Sequence, residues 1–187
     1  ILDLASRYKD QFLYNIWKMG TNQIARGMRD HWTISNEDMA RADSMVRASA
    51  PAGAAAGGGG GRGGRGGGGM SMDQYNTIFK NPARRDPRVF VITSAQPDFA
   101  TPTKFINTLR YIGVEVDQTT APITAAGKTW PAGSYVVKAA QAGRAHVMDQ
   151  FMPQDHPNDM DERGIPPRPY DSAGWTLALQ MGIRFDS

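Results

Sequence analysis

Apolar and aromatic residues recur at three- and four-residue spacing at the start of the chain, which is the pattern of an amphipathic helix. The pattern predicts a helix from about residue 2 to residue 19 that continues or restarts through Arg26. Its apolar stripe is wide and aromatic, so we expect it to pack against a core, yet the neighbouring sequence supplies little apolar material. A second, shorter helix is predicted after Ser35, where Ser35 and Asp38 form a loose capping pattern. The stripe consists of Leu4, Tyr8, Phe12, Ile16 and Met19.

Alanine, glycine and arginine dominate the sequence after this helical segment, which spans residues 1–47. Glycine has no side chain to bury and the most backbone entropy to lose, so residues 48–85 are predicted to be a flexible, disordered linker. Arg62 and Arg65 within it allow a second interpretation, a nucleic-acid tether of the Arg-Gly type. Two arginines without interleaved aromatic residues favour an inert linker instead, so a nucleic-acid partner is not expected.

The pattern changes again at residue 86, where a domain of alternating strands and helices is predicted to run to residue 187. Val89 to Ile92 is a short apolar run, typical of a strand buried on both faces. A helical stripe from Phe105 to Ile112 follows, closed by Gly113, and residues 114–119 suit a second strand. This order predicts a β-α-β unit with parallel strands and a right-handed crossover.

The remaining sequence predicts a small hairpin, one more sheet strand and two helical pieces. The hairpin turns at Ala126-Gly127, a strand follows at residues 135–138, and a helix covers about residues 143–152. A proline-rich acidic loop then leads to a turn or short helix at residues 170–179. The fold class predicted for the whole chain is therefore α/β: a small parallel or mixed sheet with flanking helices, preceded by the amphipathic helical segment and the glycine-rich linker.

Composition limits the possible architectures and partners. The 187 residues are 40% hydrophobic, enough for one modest domain with appendages. The absence of cysteine excludes disulfides and thiolate chemistry, and a net charge of +3 is weak support for nucleic-acid binding. No apolar window is long enough for a membrane span, and no leader sequence is recognisable. Both ends look cut, so we expect the chain to be a piece of a longer protein.

Candidate catalytic and metal-binding groups are few. None of the three histidines has a second ligand at a metal-binding helical spacing, so neither a metal site nor a catalytic residue is predicted. The acidic cluster around His156 is interpreted as a solvated loop rather than a cation site, and Ser134 as a turn residue. Asp171 and Trp175 would face the same way on a helical turn, and packing is favoured over binding there. The histidines are His31, His146 and His156, and the acidic cluster contains Asp155, Asp159, Asp161 and Glu162.

Several segments, taken in order, resemble a known enzyme family. They are similar to the region downstream of the catalytic core in large bacterial zinc carboxypeptidases of the carboxypeptidase A-like metallopeptidase family. The resemblance spans almost the whole chain apart from the glycine-rich insertion. The segments that carry it are Tyr8-Lys-Asp-Gln-Phe-Leu-Tyr-Asn15 to Met19-Gly20, Phe90-Val-Ile92, Leu109 to Val116, Pro131-Ala-Gly-Ser-Tyr-Val-Val137, Gln141-Ala-Gly-Arg144, and Tyr170-Asp-Ser-Ala-Gly-Trp-Thr-Leu177 to Met181-Gly182.

The resemblance implies a parent enzyme whose chemistry lies outside this chain. Members of the family hold zinc with a His-x-x-Glu pair and a later histidine, and use a glutamate as general base. No position here matches these residues. Zinc, peptide hydrolysis and the peptide substrate are therefore implied for the parent only, as is an extracellular or periplasmic location. The implied partner is a missing upstream catalytic domain, with this chain as its last helix and an accessory α/β domain.

Two hypotheses from different classes follow. As an accessory piece of the metallopeptidase, the chain would leave the stripe Tyr8, Phe12, Ile16 and Met19 exposed. As a stand-alone α/β binding module, it would fold this stripe back and form a ligand cleft at the carboxyl ends of parallel strands. Ser94, Gln96 and Asp98 would line that cleft. In either case, Tyr170, Asp171 and Trp175 are predicted packing or interface residues.

Overall fold

The computed structural model describes residues 1–49, 70–154, 160–168 and 174–187. These residues fall into two compact units. The first unit contains residues 1–31 and most of the chain from residue 87 onward. The second contains residues 32–49 and 70–86. We describe each unit by itself.

The first unit begins with two consecutive helices, α1 (Leu2–Arg7) and α2 (Lys9–Gly27). Tyr8 separates them with φ −111° and ψ 16°. The hydrogen bonding continues through this break, because the Tyr8 N–H donates to the Leu4 carbonyl and the Phe12 N–H donates to the Tyr8 carbonyl. Every residue from Ile1 to Met19 is exposed, whereas Gly27 at the end of α2 is buried.

The second unit contains α3 (Asn36–Ser49), α4 (Met72–Phe79) and a 3-10 turn at Pro82–Arg84. Ser35 and Asp38 cap α3 reciprocally, with each side chain accepting the other residue's backbone N–H. Ser71 and Gln74 form a capping box at the start of α4. α4 and the 3-10 turn lie within residues 70–85, inside the stretch predicted as linker; residues 50–69 lie outside the described residues.

The rest of the first unit is built from three helices and two antiparallel sheets. The main sheet has four strands in the order β2-β5-β1-β6, and β3 pairs with β4 in a separate hairpin. The helices are α5 (Ala100–Tyr111), α6 (Arg144–Phe151) and α7 (Leu177–Gln180). The strands are β1 (Val89–Ile92), β2 (Asp117–Gln118), β3 (Ile123–Ala125), β4 (Lys128–Trp130), β5 (Tyr135–Lys138) and β6 (Phe185–Asp186).

The mixture of helices and sheet agrees with the predicted α/β class, but the predicted parallel pairing is wrong. β5 pairs antiparallel with β1, with Phe90 opposite Val137, and antiparallel with β2, with Gln118 opposite Tyr135. β1 and β2 therefore run in the same direction with β5 between them, so β1, α5 and β2 form a split β-α-β unit. The apolar strand β5 lies between β2 and β1. Strand β2, with the exposed residues Asp117 and Gln118, lies at the edge of the sheet.

The core of the first unit lies between the sheet and the helices α5, α6 and α7. Phe151 on α6 stacks on Phe90 of β1 with ring centroids 4.4 Å apart, and meets Phe105 of α5 edge-on at 5.3 Å. Full burial of such side chains stabilises the fold by roughly 1.5–3 kcal/mol each. The buried cluster contains Phe90, Ile92, Phe105, Ile106, Leu109, Val114, Val137, Val147, Phe151, Ala178 and Ile183.

Candidate functional site

The polar side chains of Ser94 and Gln96 are occupied by hydrogen bonds to the backbone of other segments. The Ser94 hydroxyl donates to the Ala132 carbonyl at 2.8 Å, and the Ser94 N–H donates to Ser134 Oγ at 3.1 Å. Gln96 donates through Nε2 to the Thr93 carbonyl and accepts the Arg184 N–H at Oε1. Through these hydrogen bonds both residues tie the end of β1 to neighbouring turns.

Asp98 caps the start of α5. Its carboxylate accepts the backbone N–H groups of Ala100 and Thr101, each at 3.1 Å. Hydrogen bonds from the Thr101 side chain and then its backbone hold the pKa of Asp98 below its ordinary value, because they stabilise the carboxylate. These hydrogen bonds make Asp98 a capping residue of α5.

The other predicted site residues are only partly within the described residues. Tyr170, Asp171 and the part of the acidic cluster at residues 155–159 lie outside the described residues. The Asp161 carboxylate accepts the N–H groups of Arg163 and Ile165 and so shapes its own turn. Trp175 is 53% exposed, and its carbonyl accepts a hydrogen bond from Gln180 Nε2 at 2.6 Å.

The stripe residues Tyr8, Phe12, Ile16 and Met19 come together on one side of the helix and contact no core. Their exposed fractions run from 45% for Tyr8 to 62% for Ile16. An exposed contiguous apolar surface of this kind marks an interaction site in soluble proteins. Apart from the Tyr8 phenol, the side chains of this stripe are apolar, so its chemistry is mainly apolar contact.

Two further apolar residues of α2, which the sequence analysis does not single out, extend this surface. Leu13 and Trp17 are 63% and 60% exposed. They lie four residues apart, so they share one side of the same helix, next to the stripe. The four-residue spacing of Leu13 and Trp17 is present in the sequence. It is easily overlooked because these two residues alternate along the chain with those of the first stripe. Tyr14 packs beside Trp17 at 5.6 Å between ring centroids.

The carboxyl-terminal half of α2 packs closely against the rest of the first unit at two glycines, Gly20 and Gly27. A Cβ at Gly27 would lie 2.5 Å from the Ala139 carbonyl oxygen and 2.6 Å from the Ala140 Cα. A Cβ at Gly20 would lie 3.3 Å from the Ala142 Cβ. The backbone of α2 therefore approaches the segment between β5 and α6 more closely than a side chain would permit.

The second unit contains a cavity of about 520 Å³ between α3 and α4. Met45 and Ile78 form its apolar part, and Glu37, Arg41 and Asn81 its polar part. Glu37 is ion-paired with Arg41 and Arg84, and Arg84 is also paired with Asp38, so the two acidic and two basic groups balance one another. No unbalanced charge selects a class of ligand there.

Comparison with protein families, with curated proteins and with solved structures finds no match to this chain. Among the described residues, no helix is long and apolar enough to cross a membrane. Within the same residues, no group of three or more potential ligand side chains is arranged to hold a metal ion. The α1–α2 surface is therefore the feature on which a functional proposal rests.

Proposed function

We propose that this chain is the non-catalytic portion that follows the catalytic domain of an exported zinc carboxypeptidase-like protein. Its role is accessory: α1 and α2 pack against the catalytic domain, and the α/β unit is carried beside it. Peptide hydrolysis and zinc belong to the upstream domain. The observation that carries the proposal is the uninterrupted exposure of residues 1–19 in helices rich in large apolar side chains.

The marginal stability of isolated helices supports a partner that covers α1 and α2. An isolated helix shorter than ~12–15 residues is marginal in water, and most helices in proteins are stabilised by packing of an apolar face. Here that face includes Phe12, Ile16 and Trp17, each more than half exposed. A partner that buries this face would supply the packing that α1 and the first turns of α2 lack among the described residues.

The family resemblance supports an upstream catalytic domain as that partner. The motifs Tyr8-Lys-Asp-Gln-Phe-Leu-Tyr-Asn15 and Tyr170-Asp-Ser-Ala-Gly-Trp-Thr-Leu177 resemble the post-catalytic region of the carboxypeptidases. In such a protein the segment before this one is the catalytic domain. The alternative, a stand-alone binding module, is less well supported, because Ser94, Gln96 and Asp98 are used in backbone hydrogen bonds and the stripe is exposed.

The first experiment is to determine the coding sequence upstream of Ile1 and to express the complete protein. We expect a His-x-x-Glu pair, a later histidine and a general-base glutamate in the upstream part. The complete protein should hydrolyse peptides with a free carboxyl terminus and lose this activity on treatment with a zinc chelator. This chain expressed alone should show no hydrolysis. An open reading frame that lacks the upstream histidine and glutamate residues would overturn the proposal.

A matched pair of variants tests the accessory role in the complete protein. Phe12→Ser removes apolar contact area and should lower the melting temperature of the catalytic domain. Asn15→Ser alters a polar position of the same helix and should leave it unchanged. Equal melting temperatures for both variants would mean that α2 does not pack on the catalytic domain.

A further inference from the structure

A short proline-rich segment lies between α6 and α7 in the chain, outside every described helix and strand. Residues 165–168 have the sequence Ile-Pro-Pro-Arg, and all of residues 160–168 are exposed. Ile165 is 55% exposed although its side chain is large and apolar. The proposed function gives this segment no role.

Proline restricts the backbone of this segment. The pyrrolidine rings fix φ of Pro166 and Pro167 at about −65°. A residue that precedes a proline is pushed out of the helical region into extended conformations, and this applies to Ile165 and Pro166. It also applies to Arg168, since a third proline follows it in the sequence. Residues 165–168 therefore favour polyproline II, an extended helix with three residues per turn and no internal hydrogen bonds.

A tight turn fixes the start of the segment. The Asp161 carboxylate accepts the N–H groups of Arg163 and Ile165, each at 2.9 Å, and the Asp161 N–H donates to the Ile165 carbonyl at 3.1 Å. Gly164 completes the turn with φ of +75°, a conformation that favours glycine. Because both backbone groups of Ile165 are held, less conformational entropy is lost when a partner binds the residues that follow.

The prolines exclude two common ways in which a peptide segment is recognised. Pro166 and Pro167 have no N–H group, so they cannot donate the hydrogen bonds of a strand added to a partner's sheet. In the interior of a helix they would break the hydrogen-bonding pattern, so the segment cannot dock as an amphipathic helix. The remaining mode is recognition as polyproline II, in which a groove lined with aromatic side chains receives the prolines.

Charge indicates the chemistry at the rim of such a groove. Arg163 precedes Pro166 by three residues and Arg168 follows Pro167 directly, so residues 163–168 carry two positive charges and no negative one. Arg163 lies 3.4 Å from Asp161 with its side chain 81% exposed. An exposed pair of this kind contributes little, so Arg163 can exchange it for a carboxylate of a partner.

We propose that residues 163–168 are a docking segment for a partner protein domain with an aromatic-lined polyproline II groove and carboxylates at its rim. Ile165 and Arg168 lie three residues apart and share one edge of the polyproline II helix, while Pro166 and Pro167 occupy the other two edges. The prolines enter the groove and the two guanidinium groups pair with the rim. The proposal does not depend on the relationship to carboxypeptidases, because it uses only this segment and its turn.

Isolated SH3 and WW domains are the probes, since both recognise polyproline II through aromatic grooves. A panel of ¹⁵N-labelled domains, with acidic and with neutral groove rims, is titrated with the intact chain. Chemical-shift changes at the groove aromatic residues measure binding. We expect binding at the groove by domains with an acidic rim. No shift at the groove of any domain would overturn the proposal and leave the segment as a rigid spacer.

A matched pair of proline variants tests the segment itself. Pro166→Ala/Pro167→Ala should weaken binding at least about tenfold, because it removes the proline contacts and the restriction of the unbound backbone. Pro153→Ala changes an exposed proline outside the segment and should leave binding unchanged. Equal affinities for the two variants would overturn the proposal.

A second matched pair tests the charged rim. Arg163→Gln/Arg168→Gln should weaken binding at least about tenfold at low salt and reduce its dependence on salt concentration, because exposed charges are screened by salt. Arg110→Gln, an exposed position on α5, should change neither quantity. Binding that is equally strong and equally salt-dependent in both variants would overturn the partner as stated, since its carboxylates would then have no role.

Discussion

Gly27 allows α2 to lie against the backbone of the segment between β5 and α6. A Cβ there would come within 2.7 Å of three backbone atoms of Ala139 and Ala140, and backbone cannot swing aside as the end of a flexible side chain can. The residue is thus required for space and not for a special backbone conformation. Sequence alone does not reveal this, because a glycine near the end of a helix is equally consistent with a simple stop signal.

We expect Gly27→Ala to lower the free energy of unfolding by about 1–2 kcal/mol. The clash costs ~1–3 kcal/mol, and the better helix propensity of alanine returns up to ~1 kcal/mol. Gly20→Ala is the matched control, since its Cβ meets only the Ala142 Cβ at 3.3 Å. It should leave stability within roughly 0.5 kcal/mol of wild type or raise it. Urea unfolding followed by tryptophan fluorescence measures both, and equal effects would contradict the close contact at Gly27.

Asp186 links β6 to the β3–β4 hairpin. Its carboxylate is ion-paired with Lys128 and accepts the Trp130 indole N–H at 2.8 Å. The Lys128 hydrogen bond, followed by that of Trp130, holds the pKa of Asp186 below its ordinary value. A carboxyl group with a lowered folded pKa stabilises the fold above its unfolded pKa of ~3.9. That stabilisation is lost as the pH falls through the folded pKa.

Asp186→Asn should therefore be less stable than wild type at pH 6, and the difference should shrink as the pH is lowered below about 4. Asp117→Asn serves as control. Its pair with Lys138 is more than 60% exposed on both sides, and such surface pairs contribute only ~0.2–1 kcal/mol. Urea midpoints at pH 6 and pH 3 provide the comparison. A difference between wild type and Asp186→Asn that is the same at both pH values would contradict the assigned role of the carboxylate.

The second unit shows how elements distant in sequence are held by one buried charge. Asp38 on α3 is 5% exposed, accepts hydrogen bonds from the Ser35 N–H and hydroxyl, and lies 3.2 Å from Arg84 Nη1. Thr33 and Asp86 form a second link, through the Thr33 N–H and hydroxyl. The first link ties α3, and the second ties the segment before α3, to residues that follow α4.

We expect Arg84→Ala to destabilise this unit by about 3 kcal/mol, because it leaves the Asp38 carboxylate buried without its cation. Glu37→Ala removes an exposed partner of both Arg41 and Arg84 and should cost less than ~1 kcal/mol. Hydrogen exchange of peptides from residues 32–49 and 70–86 in the intact chain measures both. Unchanged protection in Arg84→Ala would show that the ion pair does not hold the two helices.

At the level of elements, the sequence predicts where helices and strands lie better than it predicts which strands pair with each other. The apolar run at Val89–Ile92, the helical stripe ending near Gly113 and the run at residues 135–138 all lie where the structure has elements. Strand direction was mispredicted because chain order suggests that β1 and β2 are neighbours, whereas β5 inserts between them. Periodicity carries no information on which strand pairs with which, and β2 and β6 have only two residues each.

The cleft predicted at Ser94, Gln96 and Asp98 was argued from parallel strands, and that premise does not hold in this sheet. Ligand binding at the carboxyl ends of strands is a rule for parallel doubly wound sheets. In this antiparallel sheet the end of β1 lies beside the turn that leads into β5, and the polar groups of Ser94 close onto that turn. The stripe on α2, by contrast, depends only on local helical geometry. Its residues could therefore be predicted from their spacing in the sequence.

At the level of the whole molecule, the uncovered helix surface predicts self-association when the chain is produced alone. We expect concentration-dependent oligomers in sedimentation velocity that persist in high salt, since apolar association is not screened. The variant Phe12→Ser/Trp17→Ser should weaken association at least about tenfold, because each lost side chain contributes ~1.5–3 kcal/mol when buried. Asn15→Ser should not change it. A monomer at all concentrations would contradict the assignment of this surface as adhesive.

The insertion of β5 between β1 and β2 bears on how the chain folds as it leaves the ribosome. β1 emerges before both of its sheet neighbours, residues 135–138 and 185–186, so it has no strand partner until they have been synthesised. Loop-closure entropy must be overcome before such distant pairings stabilise the chain, which makes them slow to form. A nascent chain that stops short of Tyr135 therefore carries an unpaired apolar strand, which is a site prone to aggregation until β5 is synthesised.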